Sequence, residues 1–146
     1  MKKNNKLEKI TTVLRKTKTA DNATSMVLLL TYNDFSMLFT GDTEGDGEAL
    51  VSEKFQKENQ GRVSVLKVAH HGSKNSGSEE FLMVVYPKVS IISCGKNNRY
   101  GHPHKETLDR LKLAESMVLT TPEGGQITIR VHKGKMEIFQ FLKQKE

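Results

Sequence analysis

Lys67-Val-Ala-His-His-Gly-Ser73 places two adjacent histidines directly after an apolar segment, residues 63–69, that is typical of a strand. A flexible run of glycine, serine, lysine and asparagine follows at residues 72–78. Because neighbouring side chains diverge in an extended chain, His70 and His71 cannot both face one site unless a turn re-aims one of them. We therefore expect one histidine to bind a metal ion and the other to support it or to face the substrate.

Length and composition exclude several classes of protein. A chain of 146 residues is expected to form one domain, and 36% hydrophobic with 27% charged residues excludes a disordered or membrane-embedded chain. No apolar segment follows the basic start, so an export signal is not expected and a cytoplasmic location is the default. The single Cys94 fits a reducing compartment. A net charge of +6 suits an anionic partner, although a generic basic surface explains it equally well.

Two apolar runs, residues 25–31 and 35–40, are separated by Tyr32-Asn-Asp34. Asparagine and aspartate tolerate the positive φ of a tight turn, so these runs predict a β-hairpin. The second run leads into Thr40-Gly-Asp-Thr-Glu-Gly45, where a carboxylate follows a strand and a glycine permits close backbone approach. Asp42 is therefore a candidate metal ligand. The alternative, that Asp42 only closes a turn or caps the next helix, stays open.

The middle of the chain alternates between helix and strand. Helices are predicted over residues 48–58 and 78–85, and a strand over residues 88–93. A polar loop after that strand carries His102 and His104. Pro103 suits the first position of a helix, which would place His102 at the N-cap and His104 in the first turn. The remainder is predicted to be structural, with a strand at 117–120 and a closing hairpin from 126–131 and 136–142, and His132 is not expected to do chemistry.

Three strand-to-helix junctions thus carry metal-binding side-chain types, at Asp42, at His70 and His71, and at His102 and His104. If the strands are neighbours, the loops that leave the same strand ends cluster at one edge of the sheet. A carboxylate oxygen together with imidazole nitrogens suits zinc or manganese better than calcium. Each histidine alone is more often a polar loop residue, and their joint placement is what indicates a metal site.

Five segments of the sequence carry a resemblance to a known family. They are Ser25-Met-Val-Leu28, Leu38-Phe-Thr-Gly-Asp-Thr43, Leu66–Ser73 with Ser76, Ile91-Ile-Ser93 and Asn98-Arg-Tyr-Gly-His-Pro103. Together, over about residues 22–131, they resemble the C-terminal half of a metallo-β-lactamase-fold hydrolase. The chain is most similar to the hydrolase domain of ComEC-type DNA-uptake competence proteins. The resemblance implies metal ligands at Asp42, His70 and His102 and catalytic roles for His70 and His71. It leaves open which of the three histidines contact the metal directly.

One departure from the family concerns its early ligands. Such hydrolases carry an early His-x-His-x-Asp-His type motif, whereas the first histidine here is His70. The resemblance therefore implies an α+β fold that is half of an αββα sandwich: a mixed, mainly antiparallel sheet with helices on one face and no partner sheet. We expect a basic N-terminal arm over residues 1–20 and the half-domain over 21–146. The other half then lies on another chain, or the reading frame is truncated, or the domain is reused without catalysis.

The function implied by the resemblance is metal-dependent hydrolysis of an anionic ester, with a phosphodiester in DNA or a nucleotide as substrate. His70 or His71 would protonate the leaving oxygen, and Ser73, Lys74 and Ser76 would bind phosphate at the start of the next helix. A complete domain would hold one or two zinc or manganese ions, and we expect weak binding of one ion and little hydrolysis here. The alternative is a non-catalytic remnant, or a nucleic-acid-binding or assembly half-domain, for which no aromatic platform is predicted. A missing partner sheet would also leave an apolar face that drives self-association.

Overall fold

The structure is a computed structural model that describes residues 9–14, 25–58 and 61–141. Its strands are β1 (Lys9–Leu14), β2 (Val27–Tyr32), β3 (Phe35–Phe39), β4 (Val65–Lys67), β5 (Val89–Ile92), β6 (Met117–Thr120), β7 (Ile127–His132) and β8 (Lys135–Gln140). Its helices are α1 (Asp46–Lys57), α2 (Glu79–Val85), α3 (Lys105–Leu113) and the single turn α4 (Thr121–Gly124). None of these helices has the length and apolarity that crossing a bilayer requires. Part of the predicted basic arm is β1 of the sheet, and residues 1–8 and 15–20 lie outside the described residues.

Strands β1 to β6 form one mixed sheet in chain order. The predicted hairpin is confirmed: β2 and β3 pair antiparallel across a two-residue turn in which Asn33 has a φ of 51°. Strands β3, β4, β5 and β6 pair parallel. The α+β class and the mixed sheet are therefore confirmed. In the described part of this sheet, three of five strand pairs are parallel, so the antiparallel share is smaller than the sequence suggested.

Each parallel connection runs through a helix, and these helices cover one face of the sheet. Leu38, Leu66 and Ile92 of the sheet lie in one buried cluster with apolar residues of the helices, namely Val51, Phe55, Phe81, Leu82, Val85 and Leu111. Burying a leucine or phenylalanine contributes roughly 1.5–3 kcal/mol, so this layer supplies much of the fold's stability. Helices on one face were predicted, and the structure confirms them.

The opposite face is covered in part by an antiparallel hairpin of β7 and β8. Ile127, Ile129 and Val131 alternate along β7 and pack against a second buried cluster that includes Val65 and Ile91. The face that was expected to be bare is therefore partly covered, because the alternating C-terminal strands form a small second sheet. Exposed apolar residues remain on this face at its margins, where Ile10 is 56%, Met117 61% and Phe39 36% exposed.

Helix ends follow the local sequence with one exception. Ser78 caps α2 as predicted, and its hydroxyl accepts a hydrogen bond from the amide of Phe81. Helix α3 begins at Lys105 rather than at Pro103, so the prediction that His102 is the N-cap is wrong. His104 is the N-cap and has an extended backbone. Its amide donates to the carbonyl of Gly72 at 2.9 Å, which ties this segment to another loop instead of to the helix.

Candidate metal and substrate site

Three loops leave the carboxyl ends of the adjacent parallel strands β3, β4 and β5. They are the Asp42 loop (residues 40–45), the histidine loop (residues 68–78) and the Asn98 loop (residues 93–104). Two backbone hydrogen bonds join them: the amide of His70 donates to Gly41 at 3.0 Å, and the amide of His104 donates to Gly72 at 2.9 Å. Asp42, His70 and His102 therefore lie at one edge of the sheet, as predicted.

The histidine loop contains two successive residues in the left-handed region. His70 has φ 45° and ψ 45°, and His71 has φ 54° and ψ 23°. The turn that was needed to re-aim one of the two rings is therefore present, and it lies at the histidines themselves rather than at Gly72. Both rings approach His102, at centroid distances of 5.7 Å for His70 and 6.3 Å for His71. Left-handed backbone costs roughly 1–2 kcal/mol per non-glycine residue, so surrounding contacts must hold this turn.

Both histidines of this turn are fixed through Nδ1. His70 Nδ1 lies 2.9 Å from Glu44 Oε1, and His71 Nδ1 donates to the carbonyl of Ser93 at 2.7 Å. Hydrogen bonding at Nδ1 directs the Nε2 lone pair outward and raises its basicity, which is how metal-binding imidazoles are oriented in proteins. Glu44 was not identified from the sequence, although it lies two residues after Asp42, because only the pairing with His70 reveals it.

His102 and His104 complete a group of four imidazoles. Their ring centroids are 4.8 Å apart, and His104 Nδ1 is buried without a hydrogen-bond partner in the described structure. Burial lowers the pKa of His102, the neighbouring imidazoles lower it further, and the Glu44 carboxylate opposes them. His102 is therefore held neutral, the form that binds metal. The Asn98 side chain positions it, accepting from the amide of His102 at 2.9 Å and donating to its carbonyl at 2.6 Å.

Asp42 is exposed and lies in a turn closed by a bond from the amide of Thr43 to the carbonyl of Thr40. It does not cap α1, whose N-cap is Gly45 without a side-chain hydrogen bond. Beside it, burial lowers the pKa of Lys67, while the charge of Asp42 raises it. A partly buried cation thus lies close to the Asp42 carboxylate. The role of Asp42 as a metal ligand stays a prediction.

The donor chemistry of this edge fits a zinc- or manganese-type ion, because imidazole nitrogens and the carboxylates of Asp42 and Glu44 are available together. The buried Nδ1 of His104 adds an unpaired acceptor or donor to the group. In the described ranges, however, no three His, Cys, Asp or Glu side chains are arranged closely enough to hold one ion. The assignment of His70, His102 and Asp42 as metal ligands therefore stays a prediction, and Glu44 contacts the ring of His70.

The predicted phosphate-binding residues divide into two groups. Ser73 and Ser76 are buried, and the Ser76 hydroxyl donates to the carbonyl of Ser73 at 2.8 Å. Arg110 donates to three carbonyls of this loop, those of Lys74, Ser76 and Gly77. The two serines therefore hold the loop together and face its interior, whereas Lys74 is exposed at its surface.

The start of α2, where phosphate was predicted to bind, faces a side chain of the protein. Glu48 is buried, and its carboxylate accepts from the amides of Gly77 at 2.5 Å and Ser78 at 2.9 Å. Burial raises the pKa of Glu48, against the lowering effects of these hydrogen bonds and of Arg110. The two amides that immediately precede α2, those of Gly77 and the N-cap Ser78, are thus already bound to an internal carboxylate. No role was predicted for Glu48 from the sequence, because a single polar position in a helix does not reveal a distant partner.

Beside His71 and His102 lies a cavity of about 460 Å³, lined also by Cys94, Asn98, Tyr100 and Thr121. Cys94 is fixed by Thr121, whose hydroxyl accepts from the Cys94 amide at 3.0 Å and donates to its carbonyl at 2.9 Å. Burial raises the pKa of the Cys94 thiol, so the thiol is neutral at neutral pH. The cavity therefore presents imidazole and phenol rings without a thiolate.

No model of a known protein family matches the chain. The chain is 42% identical over 118 residues to ComE operon protein 3 of Bacillus subtilis (strain 168), which covers 81% of this chain and 15% of that protein. It is 38% identical over 121 residues to Recombination protein 2 of Haemophilus influenzae, and this match covers 83% of this chain and 15% of that protein. It is 30% identical over 131 residues to Competence protein ComA of Neisseria gonorrhoeae, and this match covers 86% of this chain and 19% of that protein. The chain thus spans less than a fifth of these relatives. The similarity to a competence protein agrees with the resemblance, and the metallo-β-lactamase fold stays a prediction.

Proposed function

We propose that this chain, which belongs to the family of these competence and recombination proteins, acts on nucleic acid, and that its loop edge supplies part of a metal-dependent phosphodiester hydrolase centre. The relatives are proteins named for competence and recombination, which supports a role in handling DNA. The observation that carries the proposal is the anchoring of His70 Nδ1 by Glu44 and of His71 Nδ1 by Ser93. Orientation of this kind serves rings whose Nε2 atoms bind metal or transfer protons.

Each residue of this edge has a defined chemical task under the proposal. A bound divalent ion supplies charge neutralisation at the phosphate and a water of lowered pKa. His70, His102 and Asp42 hold that ion, and Glu44 fixes the ring of His70. His71, which is exposed at the cavity and holds its Nδ1 proton on the Ser93 carbonyl, takes up a proton at Nε2 and, as the imidazolium, donates it to the leaving oxygen.

A dinuclear centre needs roughly six or seven donor atoms to hold two ions and leave a position for water. The described loops offer fewer that converge, so the remaining donors come from a segment outside this chain or from a second copy. We expect the isolated chain to bind one zinc or manganese ion weakly and to hydrolyse phosphodiesters little or not at all.

Isothermal titration with zinc and with manganese tests the metal proposal directly. His70→Ala should weaken binding on the order of tenfold or more, because it removes one ligand. His132→Ala is the matched control, since His132 is exposed on β7 and outside the three loops. Equal metal affinity in the wild-type chain and in the His70→Ala variant would contradict the proposed site. Hydrolysis of a labelled DNA strand in manganese, lost in Asp42→Ala, would instead show that the isolated chain has a complete centre.

The second candidate function is nucleic-acid binding without catalysis. The net charge of +6 and the exposed Lys74, Lys96 and Arg99 around the site favour it. A chain that binds DNA in the presence of a chelator, and that fails to bind zinc or manganese at all, would favour this function over the first.

A further inference from the structure

We propose that the groove between α2 and α3 binds a basic amphipathic helix of a partner protein. The groove belongs to the helix layer, and its lining residues lie outside the three loops of the candidate site. The inference is therefore independent of the proposed function and concerns a different surface of the molecule.

Both helices contribute an apolar stripe to this groove. Leu82, Met83 and the C-cap Tyr86 line it from α2, and Leu113 and the C-cap Ala114 line it from α3. Apolar residues spaced by three and four along a helix form a face that packs against another element. Between the stripes lies a cavity of about 330 Å³, within the ~300–1,000 Å³ typical of binding sites. The two helices thus leave room for an apolar side chain of a third element.

The exposed rim of the groove favours a helix over a small molecule. Leu82 is buried, whereas Met83 is 79%, Leu113 76% and Tyr86 41% exposed. Large apolar side chains exposed around a cavity mark an interaction surface, and methionine adapts its shape to a partner. A molecule that only filled the cavity would leave this rim in water. A helix places one side chain in the cavity and packs the neighbouring turns on the rim.

The charges around the groove indicate a basic partner. Glu79 and Glu115 are the exposed charged residues of the lining, and neither forms an ion pair with a cation of the described residues. The cation of the lining is Arg110, which is half-buried and directs Nε and Nη2 to carbonyls of the histidine loop. The exposed carboxylates therefore remain available in a chain whose net charge is +6. Lysine or arginine beside the apolar face of a partner helix complements them.

Two other occupants fit these charges less well. A second copy bound in a symmetric dimer would bring Glu79 and Glu115 of one subunit against the same carboxylates of the other. An anionic lipid surface would meet the same two carboxylates, which oppose its charge. Charge complementarity thus selects a basic helix among the partners that an apolar groove accepts.

A synthetic peptide tests this inference on the full chain by fluorescence anisotropy, in a chelator. The labelled peptide has about 18 residues, enough to form a helix, with leucines along one face and lysines beside them. A peptide of the same composition in scrambled order lacks the apolar face and should bind more weakly on the order of tenfold.

Leu113→Gln should weaken binding of the ordered lysine peptide on the order of tenfold, because it removes an apolar contact of the groove. Leu50→Gln is the matched control, since Leu50 is also exposed on a helix but does not line the groove. Both leucines are exposed, so both variants should remain folded, which circular dichroism checks.

Reversing the charge of the groove separates a basic partner from a merely apolar one. The double variant Glu79→Lys, Glu115→Lys should bind the lysine peptide more weakly than the wild-type chain does. It should bind a peptide with glutamate in place of each lysine more tightly, because the complementary charges have been exchanged.

Several outcomes would overturn the inference. These are equal binding of the ordered and scrambled peptides, equal effects of Leu113→Gln and Leu50→Gln, and an unchanged peptide preference in the double variant. A dimer of the wild-type chain that Leu113→Gln dissociates would identify a second copy as the occupant. Retention on phosphatidylserine vesicles that Leu113→Gln abolishes would identify a lipid surface, and both results contradict a helical partner.

Discussion

Glu48 shows how one buried carboxylate can organise a loop far away in the sequence. It extends from α1 to the amides of Gly77 and Ser78, while Arg110 of α3 binds carbonyls on the same loop. Glu48 accepts hydrogen bonds from the amides of the loop, and Arg110 donates hydrogen bonds to its carbonyls. The position of the histidine loop therefore depends on a residue that binds no ligand.

Replacing Glu48 should lower stability and change its pH dependence. Glu48→Ala leaves two amides without acceptors and should reduce the free energy of unfolding by about 2–4 kcal/mol. Because burial raises the pKa of Glu48 above its ordinary value of 4.5, its contribution is greatest below pH 4.5 and falls as pH rises through the folded-state pKa. Glu48→Gln should remove this fall from a series of urea unfolding curves measured above pH 4.5.

Glu53→Gln is the matched control on the same helix. The hydrogen bond from Lys57 lowers the pKa of Glu53, so the Glu53 carboxylate contributes stability that is present above pH 4.5 and is lost as the pH falls through its folded-state pKa. Glu53→Gln should therefore change the pH dependence of stability in the opposite sense to Glu48→Gln. Identical pH profiles for the wild-type chain and Glu48→Gln would show that Glu48 is solvated in the folded state.

Residues of the site differ in how visible they were in the sequence. His70, His71 and His102 were predicted because each directly follows, or lies in the loop after, an apolar strand. Glu44 and Glu48 were missed, since each acts through a partner more than 25 residues away that only the fold brings near. Ser76 was assigned to phosphate from its loop composition, and its burial shows that the hydroxyl serves the loop instead.

At the scale of elements, Gly72 governs the fit between the histidine loop and the Asn98 loop. It has a φ of 79°, and a Cβ atom there would lie 2.8 Å from Pro103 Cβ and 3.2 Å from Ile92 Cγ2. Two loops can approach this closely only where one residue lacks a side chain.

Gly72→Ala should therefore separate these loops as well as strain the backbone. We expect a loss of about 2 kcal/mol or more in the free energy of unfolding, together with loss of metal binding. Gly101→Ala is the control, because Gly101 has a similar φ of 71° but no atom within 4 Å of the added Cβ. It should show the backbone cost alone, about 1–2 kcal/mol, and keep metal binding. Equal loss of binding in both variants would argue against the contact with Pro103.

Most elements were located from the sequence, since hydrophobic periodicity and capping residues are local signals. The β2–β3 turn and the start of α2 were predicted from Asn33 and Ser78 for this reason. The start of α3 and the left-handed histidines were not, because the backbone of His104 bonds to Gly72 and that of His70 bonds to Gly41. Contacts between loops override the local preference there.

For the whole molecule, the hairpin of β7 and β8 decides whether the sheet has one covered face or two. Ile127, Ile129 and Val131 were predicted to lie on one face of a strand, but a strand pattern does not indicate which layer the strand joins. The resemblance indicated a missing partner sheet, and the hairpin instead packs on Val65 and Ile91.

A polar substitution in this hairpin should expose the second face. Ile129→Asn removes an apolar contact and places an amide against the sheet, which should lower the free energy of unfolding by roughly 2 kcal/mol. Binding of a hydrophobic dye and the apparent mass in size-exclusion chromatography should both rise. Thr128→Asn, at the exposed neighbouring position, is the control and should change neither. If Ile129→Asn matched this control, the hairpin would not be packed on the sheet in solution.

The two backbone hydrogen bonds that join the three loops have a consequence for how the site opens. The amides of His70 and His104 lie on different loops, yet each is shielded by the carbonyl of a neighbouring loop. Exchange of these amides with deuterated water requires the loops to separate, so both should exchange through the same rare opening and at similar rates. A ligand that contacts one loop alone would slow exchange in the other two, and the edge would respond as one cooperative unit.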